Sequence, residues 1–496
     1  MIRLSQRHVL WAVLAFAASV RLLTLGAYPL TDTTEARYGE IARKMLETGQ
    51  WIVPQIDYGV PFWGKPPLSF WLTALSYKLM GVNEFAARLP SLLLGVATCA
   101  LVYLLARPRG GEFALRGTAV VATTALMTVD AGAVMTDPAM LFGTTLAMTA
   151  FWRAQATGSR GWGYGFFVGL AIGLLAKGPV AAVLSLGPIA GWALFTGRWR
   201  ALVSAVPWIS GSALTALLVV PWYWAAEVQS PGFLHYFLVG EHWQRFTVSG
   251  WKGDLYGSGH PYPLGTIWVF ALLGTLPWSP WWLWRLRQQR GQLAPATLQA
   301  DDGWRLYLLC WMLAPLLLFT PARNILPSYV LPALIGFGLL TAEAWQARSV
   351  PLPRDRLAAC GLVMPVAIAL IVWQIWPRVG FESQKPMLLA YQQDWAARAP
   401  SLIYYQQRPF SAEFYSRGRA ERVDSLPVLE TRLAGPSMHY VATTAVAFHD
   451  LPARLQRQLN LLMTSHDGRY LLLRHDSTTG RDTAGPAVNH SRQTAP

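Results

Sequence analysis

The sequence predicts an α-helical polytopic membrane protein with a small α/β domain at its C-terminal end. Of 496 residues, 53% are hydrophobic and only 14% charged, against about a quarter charged in soluble domains. Apolar runs of about eighteen residues or more recur along the chain, each long enough to cross a hydrocarbon core of ~30 Å. After about residue 378 the character changes to short alternating segments among polar turns, the pattern of strands.

The predicted spans are 8–27, 89–106, 117–135, 137–154, 162–177, 179–196, 201–224, 262–284, 304–321, 325–344 and 357–377. The first follows Arg3, Arg7 and His8, as a signal peptide would. Arg21 lies within it, however, and no small-x-small cleavage site follows, so it is expected to stay as an anchor. Orientation comes from the basic loops: Arg107, Arg109 and Arg116; Arg153 and Arg160; Arg198 and Arg200; Arg285, Arg287 and Arg290; Arg348, Arg354 and Arg356. With the N-terminus cytoplasmic, every cluster falls on the cytoplasmic side, as the positive-inside rule requires.

That parity holds only if the short apolar segment Leu68 to Met80, bounded by Pro66, Pro67 and Gly81, does not cross. Residues 28–88 then form one long outer loop with interfacial helices, the first announced by Thr34-Glu35 and the run Ala36–Leu46. A count of thirteen spans satisfies the same parity. Segments 130–137, 225–261 and 321–328 are also placed outside. The domain reading is a transmembrane domain over 1–377, a periplasmic α/β domain over 378–475 with strands at Ser401–Gln406, His439–Thr444 and Tyr470–Arg474, and a disordered tail over 476–496 rich in Thr, Gly, Ser and Pro.

Much of the net charge of +15 sits in the short cytoplasmic loops, so it reads as an orientation signal and not as a nucleic-acid surface. Cys99, Cys310 and Cys360 lie in apolar runs without pairing or metal spacing and are expected as free thiols. No Walker or G-x-G-x-x-G element is present, so no nucleotide cofactor is expected. The sequence leaves the metal undetermined, between none and a divalent ion.

This orientation gathers the chemically loaded segments on one face: Asp32-Thr-Thr-Glu35-Ala-Arg37-Tyr38, Gly64-Lys65-Pro-Pro, Asp137-Pro, Lys177-Gly-Pro, Glu241-His242-Trp-Gln-Arg245 and Arg323-Asn-Ile-Leu-Pro-Ser-Tyr329. Ionisable groups at membrane depth are costly and face a cavity or pathway. Acids together with several cations suit a site that holds an anion while activating a nucleophile. A polyprenyl-phosphate sugar meets those needs: fixed cations stabilise the charge that grows on the phosphate as the glycosidic bond breaks, and a carboxylate orients or deprotonates the acceptor. Helix capping competes for Asp32, the helix dipole for Glu35, the first-turn Asp-Pro pattern for Asp137, and interfacial anchoring for Arg88.

The ordered set E-x-R-Y, K-P-P, A-A-R-L-P, T-D-P, L-x-K-G-P, E-H and Y-x-L-P resembles the GT-C membrane glycosyltransferases of the protein-mannosyltransferase-like superfamily, and within it the aminoarabinose transferases that modify lipid A. The likeness covers roughly residues 10–345. It implies donor-phosphate contacts by Lys65 and Tyr329, places Arg37 and Tyr38 after the acidic pair of the first loop, and sets His242 near the donor phosphate or a metal. Arg37, Tyr38 and His242, with Arg245, Lys177 and Arg323 of the charged segments, complete the expected donor-phosphate set. It implies a catalytic carboxylate at Asp32 or Glu35, with Asp137 a further candidate. The second member of the family's acidic pair is replaced by Thr34, and the Glu before the K-P lysine by Gly64, which leaves a metal ligand missing. The expected partners are a polyprenyl-phosphate sugar donor, a lipid A-like or protein acceptor, and membrane lipids. A lipid-linked sugar flippase and an O-antigen ligase-type enzyme are the competing functions. Transporters show duplicated halves, and such ligases use a late outer loop, whereas here the acidic motif lies in the first.

Overall fold

The computed structural model describes residues 6–257, 260–288, 294–346, 354–375, 382–394, 401–435 and 438–475. The chain divides into two compact units, residues 1–379 and 380–496. The expected tail 476–496 lies outside the described residues.

In the first unit, α1 (Gln6–Thr24) is followed by α2 (Thr34–Thr48), a two-stranded hairpin of β1 (Gln55–Asp57) and β2 (Val60–Pro61), and α3 (Leu68–Met80). Then come α4 (Glu84–Ala106), α5 (Gly111–Ala122), α6 (Ala125–Asp130), α7 (Asp137–Thr157), α8 (Arg160–Lys177), α9 (Val180–Thr196), α10 (Trp199–Ala205) and α11 (Trp208–Gln229). Among the described residues five helices are long and apolar enough to cross a membrane by length and composition: Gln6–Thr24, Glu84–Arg109, Trp208–Gln229, Pro295–Phe319 and Leu357–Ile375. The segment Leu68–Met80 is a helix of 13 residues, ~20 Å long and too short to join them. Arg21, inside the first apolar helix, is buried and donates to Thr24 Oγ1 and to the Val129 carbonyl, each at 3.1 Å.

Three predicted spans are broken: 201–224 divides at Val206–Pro207 into α10 and α11, and the breaks in the other two face each other. The span expected over 117–135 divides at Thr123–Thr124 into α5 and α6. The span expected over 262–284 divides before Pro277, giving α12 (Thr266–Gly274) and α13 (Trp278–Gln288). The Ala125 N–H donates to the Leu276 carbonyl at 2.8 Å, and Trp278 Nε1–H donates to Thr123 Oγ1 at 3.0 Å. Each of these two facing breaks thus supplies backbone partners that hydrocarbon could not. The helix Pro295–Phe319 (α14) carries non-helical backbone at Ala300–Gly303. The last predicted spans are observed as α15 (Ala333–Gln346), preceded by a 3₁₀ turn at Pro327–Val330, and Leu357–Ile375. Between α11 and α12 the chain makes a π-helical segment, Tyr236–Gln244.

The long first loop is a folded body. Glu40, Arg43 and Lys44 on α2 are all buried. Arg43 forks onto Glu40 with two contacts of 2.7 Å, and Lys44 Nζ donates to the Ile56 carbonyl of the hairpin at 2.8 Å. The loop after α11 is tied to it: Arg37 Nη1 donates to the Tyr256 carbonyl at 2.5 Å, and the Tyr256 hydroxyl donates to the Pro61 carbonyl while accepting from the Trp63 N–H, both at 2.9 Å. Trp63 Nε1–H reaches Ser230 Oγ at 2.8 Å, and Trp222 Nε1–H reaches the Ile52 carbonyl at 2.9 Å.

The second unit is a five-stranded mixed sheet. Its strands are β3 (Ser401–Tyr405), β4 (Ala420–Val423), β5 (His439–Thr444), β6 (Leu459–Thr464) and β7 (Tyr470–His475), in the order β4-β3-β5-β7-β6. Strands β3, β4 and β5 are parallel, and β7 and β6 add antiparallel. Two of these strands, 420–423 and 459–464, have no counterpart in the sequence prediction: the first is four residues long and the second carries polar residues without clean alternation. Ile403, Leu429, Val441 and Leu473 form its core.

Candidate functional site

A cavity of about 320 Å³ is lined by Lys65, Lys177, Glu241, His242, Arg245 and Tyr329, among others. It is assembled from four distant stretches of sequence. Gly64 and Lys65 form a bend, and Pro66 and Pro67 follow it before α3 begins, so the lysine lies outside any helix. Gly178, at φ +85°, turns the chain between α8 and α9 directly after Lys177. The π-helical segment carries Glu241 and His242, and the Pro327–Val330 turn carries Tyr329.

Glu241 is the hub. Lys65 Nζ lies 2.9 Å from Glu241 Oε2, Arg245 Nη1 lies 3.1 Å from both carboxylate oxygens, and the Tyr236 hydroxyl donates to Oε1 at 3.4 Å. Arg245 also reaches Asp254 Oδ2 at 3.5 Å. Burial alone pushes the Lys65 ammonium down, but the Glu241 charge, with Tyr38 and Tyr329 adding to it, leaves it above the ordinary lysine value. Burial likewise pushes the Glu241 carboxyl up, and Lys65 and Arg245 bring it below the usual carboxylate range. Both groups are therefore charged at neutral pH.

A second pair adjoins this one. Lys177 Nζ sits 2.5 Å from Asp137 Oδ1, with both side chains buried, and 4.6 Å from the centroid of the Tyr329 ring. His242 places Nδ1 2.7 Å from the Phe237 carbonyl and Nε2 3.2 Å from the Lys177 carbonyl, and the neutral ring, with one N–H, donates to one of the two. Burial, aided by the Lys65 charge, holds its pKa below the usual histidine value despite those bonds. Asn324 also lines the cavity, its Nδ2 donating to the Arg245 and Val248 carbonyls at 2.7 and 3.1 Å.

Glu35 is built into the loop. Arg88 donates Nε to Oε1 and Nη2 to Oε2, and the carboxylate also accepts from the Val134 N–H at 3.2 Å and the Thr31 hydroxyl at 3.2 Å. Arg88 is fully buried and donates further to the Leu25, Tyr28 and Pro29 carbonyls. The expectation that Arg88 anchors a span end at the headgroups is corrected: fully buried, it knots the chain between α1 and α2 to α4. The geometry of Glu35 is that of a structural acceptor, because its oxygens are engaged on all sides. Asp32, three residues earlier, is half-buried.

Three of the expected phosphate ligands, Arg37, Tyr38 and Arg323, are not among the residues that line the cavity. Arg37 is turned to Tyr256 O and packs over the Tyr38 ring. Tyr38 is buried in edge contacts with Phe62 and Phe70, close enough to Lys65 to act on its charge. Arg323 has an exposed side chain, and its backbone N–H bonds the Phe246 carbonyl at 3.2 Å. The sequence reading missed Asp254 and Asn324 and gave Glu241 no role. The signal for Glu241 was present, an acid four residues before Arg245 in the E-H-W-Q-R segment. Among the described residues no group of three or more His, Cys, Asp or Glu side chains converges as metal ligands, so no residue set is assigned to a divalent ion. The three cysteines are free thiols.

Residues 4–237 match the profile of the dolichyl-phosphate-mannose-protein mannosyltransferase family. Curated relatives include the undecaprenyl phosphate-α-4-amino-4-deoxy-L-arabinose arabinosyl transferases of Erwinia tasmaniensis, 32% identical over 66% of this chain and 58% of the relative, and of Shewanella sediminis, 30% identical over 75% of this chain and 68% of the relative. The chain thus spans little more than half the length of the Erwinia protein. Among solved structures, ArnT from Cupriavidus metallidurans bound to undecaprenyl phosphate superposes with a TM-score of 0.73, covering 96% of this chain and 99% of that one at 18% identity. The two share a fold: a multi-helical membrane unit followed by a small sheet domain.

Proposed function

The chain belongs to the family of undecaprenyl phosphate-α-4-amino-4-deoxy-L-arabinose arabinosyl transferases, and on that premise we propose that it is an inverting glycosyltransferase of the bacterial inner membrane. It moves a sugar from a polyprenyl-phosphate donor to a lipid A-like glycolipid, a protein hydroxyl being the second choice of acceptor. The single observation that carries the proposal is the convergence of Lys65, Arg245, Lys177 and Tyr329 on one cavity.

Lys65 and Arg245 hold the donor phosphate, with Tyr329 and Lys177 beside it. An acceptor oxygen attacks the anomeric carbon as the bond from that carbon to the phosphate oxygen breaks, and polyprenyl phosphate leaves with the bonding pair. The cations meet the charge that this step develops. Asp32 orients the acceptor and takes its proton when the acceptor is a hydroxyl. Glu35 and Asp137 act as positioning residues through Arg88 and Lys177. The N-terminus is cytoplasmic, residues 1–377 are the transferase domain, and the sheet domain over 378–475 is periplasmic. The basic loops support that topology.

The test is single-turnover sugar release from undecaprenyl-phosphate sugars by wild type, Lys65→Ala and Asp32→Asn proteins. Transfer by wild type, with both variants folded and inactive, is the expected result. Donor that stays intact and is moved between leaflets replaces the transferase with a flippase.

A further inference from the structure

Glu241 sits where a phosphate would sit. Its side chain is 4% exposed, and its two oxygens face Lys65 on one side and Arg245 on the other. A carboxylate so placed presents the same paired acceptors to a lysine and an arginine that a phosphate ester does. Charge is already balanced without a ligand's help: the cations Lys65, Arg245 and Lys177 are met by the carboxylates of Glu241, Asp254 and Asp137. A phosphodiester entering this cavity adds a negative charge to a site that is neutral, next to a buried acid. Something must yield, and the lysine and arginine contacts of Glu241 are the ones it duplicates. Asp254 stays paired with Arg245, so losing Glu241 does not strand that guanidinium.

The backbone under Glu241 gives it a way to leave. It lies in a π-helical segment, Tyr236–Gln244, a wide-turn geometry that is rarely sustained and marks functional positions. Relaxing one π turn to α re-aims the side chains that follow by about one residue's rotation, ~100°.

Resting on the reading of this cavity as the donor-phosphate site, we propose that Glu241 competes with the lipid phosphate for Lys65 and Arg245, leaving when donor binds and returning to expel the product. The product, a phosphate monoester, carries more negative charge than the diester donor and binds two cations more tightly. Without an internal competitor, release would be the slow step. Glu241 is a positioning residue in this scheme: it touches the phosphate ligands and takes no part in bond making.

The experiment measures binding of farnesyl phosphate to detergent-solubilised full-length protein, together with steady-state transfer. Glu241→Gln should bind farnesyl phosphate about tenfold more tightly than wild type and show a larger thermal shift on adding it. Both KM and kcat should fall, since substrate enters more easily and product leaves more slowly. Glu241→Asp, which withdraws the carboxylate by one methylene and keeps the charge, should tighten binding by a smaller factor and serves if Glu241→Gln does not fold. Equal or weaker binding by either folded variant overturns the proposal, because it makes Glu241 a support for the cations. Lys65→Ala is the arm that separates the two readings: undiminished binding there overturns the donor site itself.

Discussion

Arg88 and Glu35 form a two-pronged contact, Nε to Oε1 at 2.9 Å and Nη2 to Oε2 at 2.8 Å, with the arginine fully buried. The pair joins the start of α4 to the start of α2 and fixes the entry of the long first loop. Burial raises the Glu35 carboxyl, and the Arg88 charge and hydrogen bonds, with the Val134 and Thr31 N–H groups, carry it below the ordinary value of 4.5.

Breaking such a pair from one side leaves a buried charge alone. Glu35→Gln should cost about 3–5 kcal/mol, read as a lowered melting temperature in detergent. Because the folded pKa is depressed, the stabilisation is fully present above pH ~4.5 and is lost as pH falls below it. A thermal-melt pH series should show that acid loss in wild type and a flatter line in Glu35→Gln.

Asp137 and Lys177 make the other buried pair of the site, at 2.5 Å. Asp137→Asn and Lys177→Met should each destabilise by about 3–5 kcal/mol. The double variant should lose clearly less than the sum, since neither charge is then stranded. Additive losses in a melting-temperature cycle would show that the two side chains work independently.

His242 has a depressed pKa, so protonation favours the unfolded state. Stability should be constant above pH ~6.5 and decline as pH drops below it. His242→Gln should flatten this slope between pH 5 and 7 in the same melting assay.

Gly178 pairs a positive φ of +85° with crowding: a Cβ there would meet the Phe237 ring at 2.6 Å and His242 Cε1 at 3.1 Å. Gly178→Ala should cost about 1–3 kcal/mol and weaken farnesyl phosphate binding by displacing His242. Unchanged binding in a titration would separate the turn from the cavity.

Periodicity and charge placement made the membrane unit legible, because apolar runs and basic loops act through one-dimensional rules. Leu68–Met80 was read as non-spanning from the parity of the basic loops together with its length and flanking Pro and Gly, and it is a helix of 13 residues. The broken helices were not legible: Thr123–Thr124 and Pro277 look continuous in hydropathy, and only their mutual hydrogen bonds make the interruptions tolerable. Within the site, Lys65, Lys177, His242, Arg245 and Tyr329 were legible as punctuated charged or aromatic motifs. Arg37 and Arg323 carried the same signal, but Arg37 donates to the Tyr256 carbonyl and Arg323 is exposed outside the cavity lining. Spacing cannot tell which cation faces a cavity and which ties a loop, since that depends on segments some two hundred residues away.

Tyr256 is the rivet between the long first loop and the loop after α11, since its carbonyl, its hydroxyl proton and its hydroxyl lone pair each hold a different residue of the first loop region. Segments 28–88 and 225–261 therefore form one exchangeable module. A chimaera that grafts either loop alone from a relative inherits mismatched halves of this joint. Grafting both together carries the joint intact, and with it both Lys65 and the Glu241–Arg245 stretch that line one cavity.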